Sequence, residues 1–332
     1  MTALRVFSSA DAGAPALTGQ AGSLAAVLDA VLVDGYGTGP SAKAPAGWSR
    51  TYSATNKRVY RNEIVAGSGY YLRLDDTAAI GNARHTFLRG FQLMSDIDTG
   101  TNLVPTTAQA TNGSLWQKSI TLDATARAWV IVANDKTMYP FFDCGGLGIA
   151  LAAPFAAGDL DSDVVGDQHN FFVSGNGLAS YTGSTGDAHG TMYRGTDLSV
   201  NNSTVGNGSS PNGWVARNYA GAVGATPINQ VRDDLYGSPQ QFFGRGPFAY
   251  PDPVNSGLRF NVAHVKEGAR EVRGRLPGVL IPLHDMAFTD GQIISPLPGA
   301  DGITVYVKSF RTNFISNATG NGQVLFDLTT EF

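Results

Sequence analysis

The stretch from Ala128 to Phe142 reads Ala-Trp-Val-Ile-Val-Ala-Asn-Asp-Lys-Thr-Met-Tyr-Pro-Phe-Phe. It contains two apolar runs, rich in β-branched and aromatic residues, on either side of the polar tripeptide Asn134-Asp135-Lys136. A polar tripeptide between two such runs is typical of a β-hairpin. We therefore predict that this stretch forms two paired strands.

Both faces of the predicted hairpin are apolar. Because alternate residues of a strand point to opposite sides, Trp129 and Ile131 lie on one face, and Val130 and Val132 lie on the other. Neither face suits water, so other segments must cover both. Pro140 lacks a backbone N–H, which predicts that it lies on an edge strand or at a bulge.

The length and composition indicate a folded, β-rich protein with more than one lobe. A chain of 332 residues exceeds the usual size of one core, and 42% hydrophobic residues are ample for a packed interior. We predict an N-terminal β-rich domain over 1–182, a Gly/Ser/Asn-rich loop or linker over 183–213, and a C-terminal β-rich domain over 214–332. One large β domain with long excursions is the alternative.

The charge content is low. Charged residues make up 15% of the chain, Gly contributes 41 residues, and the net charge is −4. A nucleic-acid-binding protein needs a basic stripe, so we expect no nucleic-acid partner. A surface with little charge suggests contact with neighbouring subunits, although a β-rich protein with many loops explains it equally well.

Targeting signals are not evident. No apolar run reaches the roughly 18 residues that a membrane helix needs, and no secretory signal pattern begins the chain. Cys144 is the single cysteine, so it forms no internal disulfide, and we expect it to be a buried thiol. These features predict a protein that is made in the cytosol and has no membrane partner.

One helix is predicted, near residues 23–34. Ser23 is a suitable N-cap, and Gly35 ends the pattern. The apolar residues between them recur at spacings of three and four, as in a helix that buries one face, and they are Leu24, Val27, Leu28, Val31 and Leu32.

The rest of the pattern predicts short strands, so the fold class is mainly β, with sandwich-like or barrel-like antiparallel sheets and one short N-terminal helix. The predicted strands are 4–7, 48–53, 58–64, 70–74, 86–94, 115–118, 170–174, 214–219, 258–265, 270–283, 303–310 and 324–328.

An acidic segment superficially resembles a calcium loop. Asp159, Asp161 and Asp163 alternate, and Asp167 and His169 follow them. The pattern fails after that, because Val164 stands in place of the required glycine and Asn170 in place of the bidentate glutamate. A solvated acidic loop is therefore the favoured interpretation.

Catalytic motifs are equally weak. Asp96 and Asp98 have a spacing that a glycosidase pair can adopt, but Asp96-Ile97-Asp98-Thr99-Gly100 is more typical of a turn. The sequence contains no Gly-x-Ser-x-Gly elbow and no phosphate-binding loop with Lys-Ser/Thr, and Gly175-Asn176-Gly177 is an isolated Gly-x-Gly. The five histidines are scattered singly, at His85, His169, His189, His264 and His284. We predict no catalytic, cofactor-binding or metal-binding residues.

One aromatic patch could bind sugars by stacking. It lies between Gln241 and Tyr250 and contains Phe242, Phe243 and Phe248. The same residues could equally fill a second core or a subunit contact.

Several stretches in both halves of the chain are informative when taken together. They are 13–19, 22–24, 28–37 (Leu-Asp-Ala-Val-Leu-Val-Asp-Gly-Tyr-Gly), 47–50 (Gly-Trp-Ser-Arg), 56–61 (Asn-Lys-Arg-Val-Tyr-Arg), 71–76, 116–119 (Trp-Gln-Lys-Ser), 123–129 (Asp-Ala-Thr-Ala-Arg-Ala-Trp), 272–279 (Val-Arg-Gly-Arg-Leu-Pro-Gly-Val) and 281–284. These stretches resemble a group of poorly characterised virion proteins of tailed bacteriophages. The match is weakest over 144–213. The resemblance implies a structural part of the virion, with no cofactor and no catalytic residues.

We therefore expect a structural component of a tailed-phage virion, located in the tail, tail tip or neck, and not an enzyme. Its expected partners are further copies of itself and other virion proteins, with a host surface glycan as an additional candidate. A capsid decoration protein, a host-glycan-binding module and a cell-wall-degrading enzyme are the alternatives. In the hairpin, 123–127 is expected to form the turn before the first strand, with Arg127 bonded to a nearby carboxylate or carbonyl.

Overall fold

A computed structural model describes most of the chain. The described residues are 2–80, 82–144, 153–175, 213–222, 226–229, 250–254, 256–267, 271–284, 288–311 and 321–332. The predicted linker therefore lies outside the described residues except for Gly213, and so does the aromatic patch except for Tyr250.

The fold is mainly β, as the sequence predicts. The strands are β1 (Arg5–Ser8), β2 (Ser49–Ala54), β3 (Lys57–Arg61), β4 (Tyr71–Asp75), β5 (His85–Asp96), β6 (Thr99–Val104), β7 (Ser114–Gln117), β8 (Trp129–Ala133), β9 (Thr137–Phe142), β10 (Ala153–Pro154), β11 (Ala157–Asp159), β12 (Asp161–Ser162), β13 (Phe171–Ser174), β14 (Gly213–Val215), β15 (Thr226–Asn229), β16 (Phe260–Glu267), β17 (Glu271–Pro282), β18 (Ile293–Ile294), β19 (Val305–Arg311) and β20 (Asn321–Asp327). Strand pairing is antiparallel throughout the described chain.

The strands form two sheets that pack as a sandwich. A six-stranded sheet has the order β2-β3-β4-β5-β6, with β7 paired to β5. A 14-stranded sheet has the order β1-β8-β9-β11-β13-β14-β15-β16-β17-β20-β19-β18, with β10 paired to β9 and β12 paired to β17.

The helix α1 (Ser23–Leu28) continues as a π-helical segment over Asp29–Asp34 and ends at Gly35, which confirms its predicted extent. The predicted N-cap is wrong. Gly22 occupies the capping position with φ 81°, and the Ser23 hydroxyl donates to Thr18 O instead. The acceptor for the first backbone N–H groups is the carboxylate of Asp76, which is distant in the sequence.

The predicted hairpin lies between two cores. Trp129 and Ile131 face the central core, and Val132, Tyr139 and Phe141 face the second core. The central core combines helix residues with both sheets, including Leu24, Leu28, Leu72, Leu88, Trp116, Phe171 and Trp214. The second core includes Leu4, Phe172, Val215, Val265, Leu276 and Phe326. Both apolar faces are thus covered.

The hairpin turn forms as predicted, but the hydrogen bonds of the Arg127 side chain go to hydroxyl groups rather than to the predicted carboxylate or carbonyl. The Asn134 side chain accepts hydrogen bonds from the backbone N–H of Lys136 and Thr137, which closes the turn. Arg127 donates to the hydroxyls of Ser119 and Thr121, and its Nη2 lies 3.8 Å from the Asp123 carboxylate.

Pro140 lies in an interior strand of the sheet rather than in an edge strand, and it faces an interruption between two neighbouring strands. Strand β9 pairs with β8 on one side and with β10 and β11 on the other. The Pro140 carbonyl accepts from Phe155 N at 2.8 Å, between the end of β10 and the start of β11. Because the N and O of a strand residue point to the same side, the missing donor faces this break in the neighbouring strand.

Strands from both predicted domains join the same sheet. Phe172 of β13 is paired with Val215 of β14, and Asp161 of β12 with Arg275 of β17. The predicted division at 183–213 stays a prediction. None of the helices in the described ranges is both long and apolar enough to cross a membrane.

Candidate functional site

The acidic segment forms one wall of a polar cavity. The segment leaves the sheet at β11, returns at β13, and is closed at its base by a hydrogen bond from Leu160 N to Asn170 O. The cavity has a volume of about 380 Å³. The other walls come from the 65–67 loop, Lys136 in the hairpin turn, Pro277 and Phe332.

Asp159 is the buried carboxylate of this cavity. Its side chain accepts hydrogen bonds from Asn62 Nδ2 at 2.8 Å, Ser68 N at 2.6 Å and Ser68 Oγ at 2.5 Å. Burial raises the pKa of Asp159 to about 6, although these three hydrogen bonds act to lower it. The contacts hold the 65–68 loop against β11.

The next two aspartates of the cavity wall are engaged by arginines from β17. Arg273 donates to both Asp167 oxygens, at 2.8 and 2.9 Å, and to Glu267 at 3.0 Å. Arg275 donates to Asp161 at 2.5 Å. Arg273 is almost fully buried, and the carboxylates of Asp167 and Glu267 together compensate a positive charge that would otherwise be costly to bury. Burial raises the pKa of Glu267.

This arrangement explains the failed calcium pattern. Asp161 and Asp167 point their oxygens at guanidinium groups rather than at a common centre. Within the described ranges, no group of three or more His, Cys, Asp or Glu side chains is placed to hold a metal ion. His169 is bonded instead through Nδ1 to the Tyr70 hydroxyl at 3.2 Å.

Two loops carry exposed aliphatic side chains beside the cavity. Val65 is 88% exposed and its neighbour Ile64 is 60% exposed. Val165 is fully exposed, between the cavity residues Val164 and Gly166. The first loop is held in shape by Glu63, whose carboxylate accepts from the N–H groups of Val65, Ala66 and Gly67. Burial acts to raise the pKa of Glu63, but these hydrogen bonds lower it.

The other candidate residues lie apart from the cavity. Asp96 is the last residue of β5, and Asp98 lies in the turn between β5 and β6, where it forms ion pairs with Lys57 and Arg73. Cys144 is buried, and burial raises the pKa of its thiol. Tyr250 packs edge-on against His284 and Phe288. His189 lies outside the described residues.

No family model matches the chain, and no curated protein matches it significantly.

Sequence patterns did not reveal the contacts that shape this site. Asn62 and Ser68 are 97 and 91 residues from Asp159 in the chain, so no local spacing links them. The alternation of Asp159, Asp161 and Asp163 was a usable signal for the acidic wall, and Lys136 carried no signal beyond its place in a turn.

Proposed function

We propose that this chain is a structural component of a tailed-phage virion and works by packing against further copies of itself, in the tail, tail tip or neck. The resemblance of both halves to virion proteins supports the virion assignment. The observation that carries the packing proposal is the exposure of three aliphatic side chains on the two loops beside the cavity, Ile64, Val65 and Val165.

Exposed aliphatic side chains on two loops that line the same cavity are costly to leave in water. Each fully buried Val or Ile gains roughly 1.5 to 3 kcal/mol. The first loop is fixed by the Glu63 carboxylate and by Ser68 bonded to Asp159. Because this loop is already ordered, its contact with a second subunit would cost little conformational entropy.

The test compares oligomer mass in solution. Light scattering should find an oligomer for the wild type and smaller species for the double variant Val65→Asp/Val165→Asp, because two buried charges would oppose contact. Val254→Asp is the matched control, since Val254 is 84% exposed elsewhere in the chain and its variant should keep the wild-type mass. A wild type that stays monomeric at all concentrations would refute packing by this surface.

Position in the virion needs a separate measurement. Antibody labelling of imaged particles should mark the tail, its tip or the neck. Label on the head surface would favour a decoration protein instead, and particles without label would refute the virion assignment.

A host-glycan-binding module is the second candidate, and the cavity itself favours it. Its wall offers Lys136, Gln168 and Asn170, and the side-chain oxygen Oδ1 of Asn170 is buried without a hydrogen-bond partner. Such groups can bind sugar hydroxyls. A monomer that binds host polysaccharide, and loses binding in Asn170→Ala, would favour this function over packing.

A further inference from the structure

Lys118 and Asp76 form an ion pair that is sealed from solvent. Both side chains have 0% exposure, and Lys118 Nζ donates to Asp76 Oδ1 and to Gln20 O. The other carboxylate oxygen, Asp76 Oδ2, accepts from the backbone N–H of Leu24 at 2.9 Å and of Ala25 at 3.3 Å. An amine is thus held against a carboxyl group whose second oxygen is bound by two fixed donors.

We propose that Lys118 and Asp76 condense into an intramolecular isopeptide bond. The ammonium first passes one proton to Oδ1, which leaves a neutral amine and a carboxylic acid. Nζ then attacks Cγ, and the two backbone N–H groups stabilise the negative charge that develops on Oδ2. Nζ transfers a second proton to the Oδ1 hydroxyl, the Cγ–Oδ1 bond breaks, and one water molecule leaves.

The surroundings favour the neutral reactants. Burial raises the pKa of Asp76 and lowers the pKa of Lys118, and both shifts oppose the charged pair. The fixed contact between the two side chains supplies the proximity that a condensation needs. Their burial excludes the water that would favour the reverse reaction, hydrolysis. The condensation needs no oxidant, metal or cofactor.

Other lysine–carboxylate pairs of the described chain lack this sealing. Lys308 pairs with Asp290 at 2.7 Å, but the Asp290 side chain is 39% exposed. Lys57 pairs with Asp98 at 3.1 Å, and the Asp98 side chain is 50% exposed. Water competes at these pairs and stabilises their charged forms, so they serve as internal controls that should stay unlinked.

The product would tie the end of β4 to the end of β7. Asp76 follows β4 and Lys118 follows β7, so the bond would close a loop that contains β5, β6 and β7. Such a link would keep the ends of β4 and β7 joined even in the denatured chain, which lowers the entropy of the unfolded state. This inference is independent of the proposed function.

Mass spectrometry of the denatured, trypsin-digested protein provides the test. We expect peptide 74–84 joined to peptide 90–127, with no cleavage after Lys118, at the sum of their masses minus one water molecule. Peptides containing Lys308 should be cleaved in the ordinary way. Separate peptides 74–84 and 90–118 at their full masses would overturn the proposal.

Asp76→Asn provides a matched variant. Condensation with an amide releases ammonia instead of water, so the linked species should have the same mass as in the wild type. Asp76→Ala has no acyl carbon to attack and should yield separate peptides. A linked species in Asp76→Ala would show that another residue is the acceptor and would refute this assignment.

Discussion

At the residue scale, the buried carboxylates differ in what surrounds them. Asp76 faces an ammonium group, Asp167 faces a guanidinium group, and Asp159 has neutral donors from Asn62 and Ser68. Burial is the largest influence on Asp159, and it raises the pKa of this carboxyl group to about 6 although its hydrogen bonds and the nearby charge of Lys136 act to lower it.

Asp159 should therefore make stability depend on pH. Its folded pKa of about 6 exceeds the ordinary aspartate pKa of 3.8, which applies in the unfolded chain. Between about pH 4 and about pH 6, the folded state keeps a proton that the unfolded state has released. The stability from this group is fully present below the unfolded pKa and is lost as the pH rises through the folded pKa.

We expect Asp159→Asn to remove this dependence. The unfolding free energy of the wild type, relative to the variant, should fall by on the order of 2 to 3 kcal/mol between pH 4 and pH 7. Urea denaturation at both pH values measures the difference. A constant difference between the two proteins would contradict the assigned titration.

At the element scale, the hairpin of β8 and β9 is the feature that most of the fold packs around. It separates the central core from the second core, and its residues contribute to both. Trp129 packs edge-on against Tyr36 at 6.3 Å and donates from Nε1 to Pro15 O at 3.0 Å. The hairpin thus fixes the N-terminal segment as well as the sheet.

Trp129→Ala should lower the unfolding free energy by about 3 to 5 kcal/mol, because it leaves a large cavity and removes the bond to Pro15. Thermal or urea denaturation measures this change. Leu122→Ala is the control, since Leu122 is 57% exposed and its truncation should have little effect. An unchanged melting temperature for a soluble Trp129→Ala would show that the hairpin is not the organising element.

Elements with strong local patterns were predictable, and those without them were not. Alternation identified β4, and apolar spacing identified α1 with Gly35 at its end. Strand β6 was missed because Gly100 and Asn102 have low strand propensity, and Asn102 adopts φ 54°. The two-residue strands β10 and β12 are too short to show periodicity. The helix cap and the cavity depend on contacts across the chain, which no local pattern encodes.

At the scale of the whole molecule, the 14-stranded sheet joins the two predicted domains. The second core combines Leu4, Phe141 and Phe172 with Val265 and Phe326 from beyond the predicted linker. Tyr139 also donates to Pro277 O at 2.9 Å and packs against Phe326. Separating the halves would expose these aromatic side chains to water.

We therefore expect the chain to unfold in a single calorimetric transition, because neither half can keep its core once the other has unfolded. A fragment covering 1–182 should be insoluble or aggregated when made alone, because the side chains of Phe141 and Phe172 would be exposed to water. Two resolved transitions, with one retained by a soluble 214–332 fragment, would instead support independent domains divided at 183–213. Scanning calorimetry of the full chain and of both fragments distinguishes these outcomes. A single transition would also mean that substitutions in either half lower the same melting temperature.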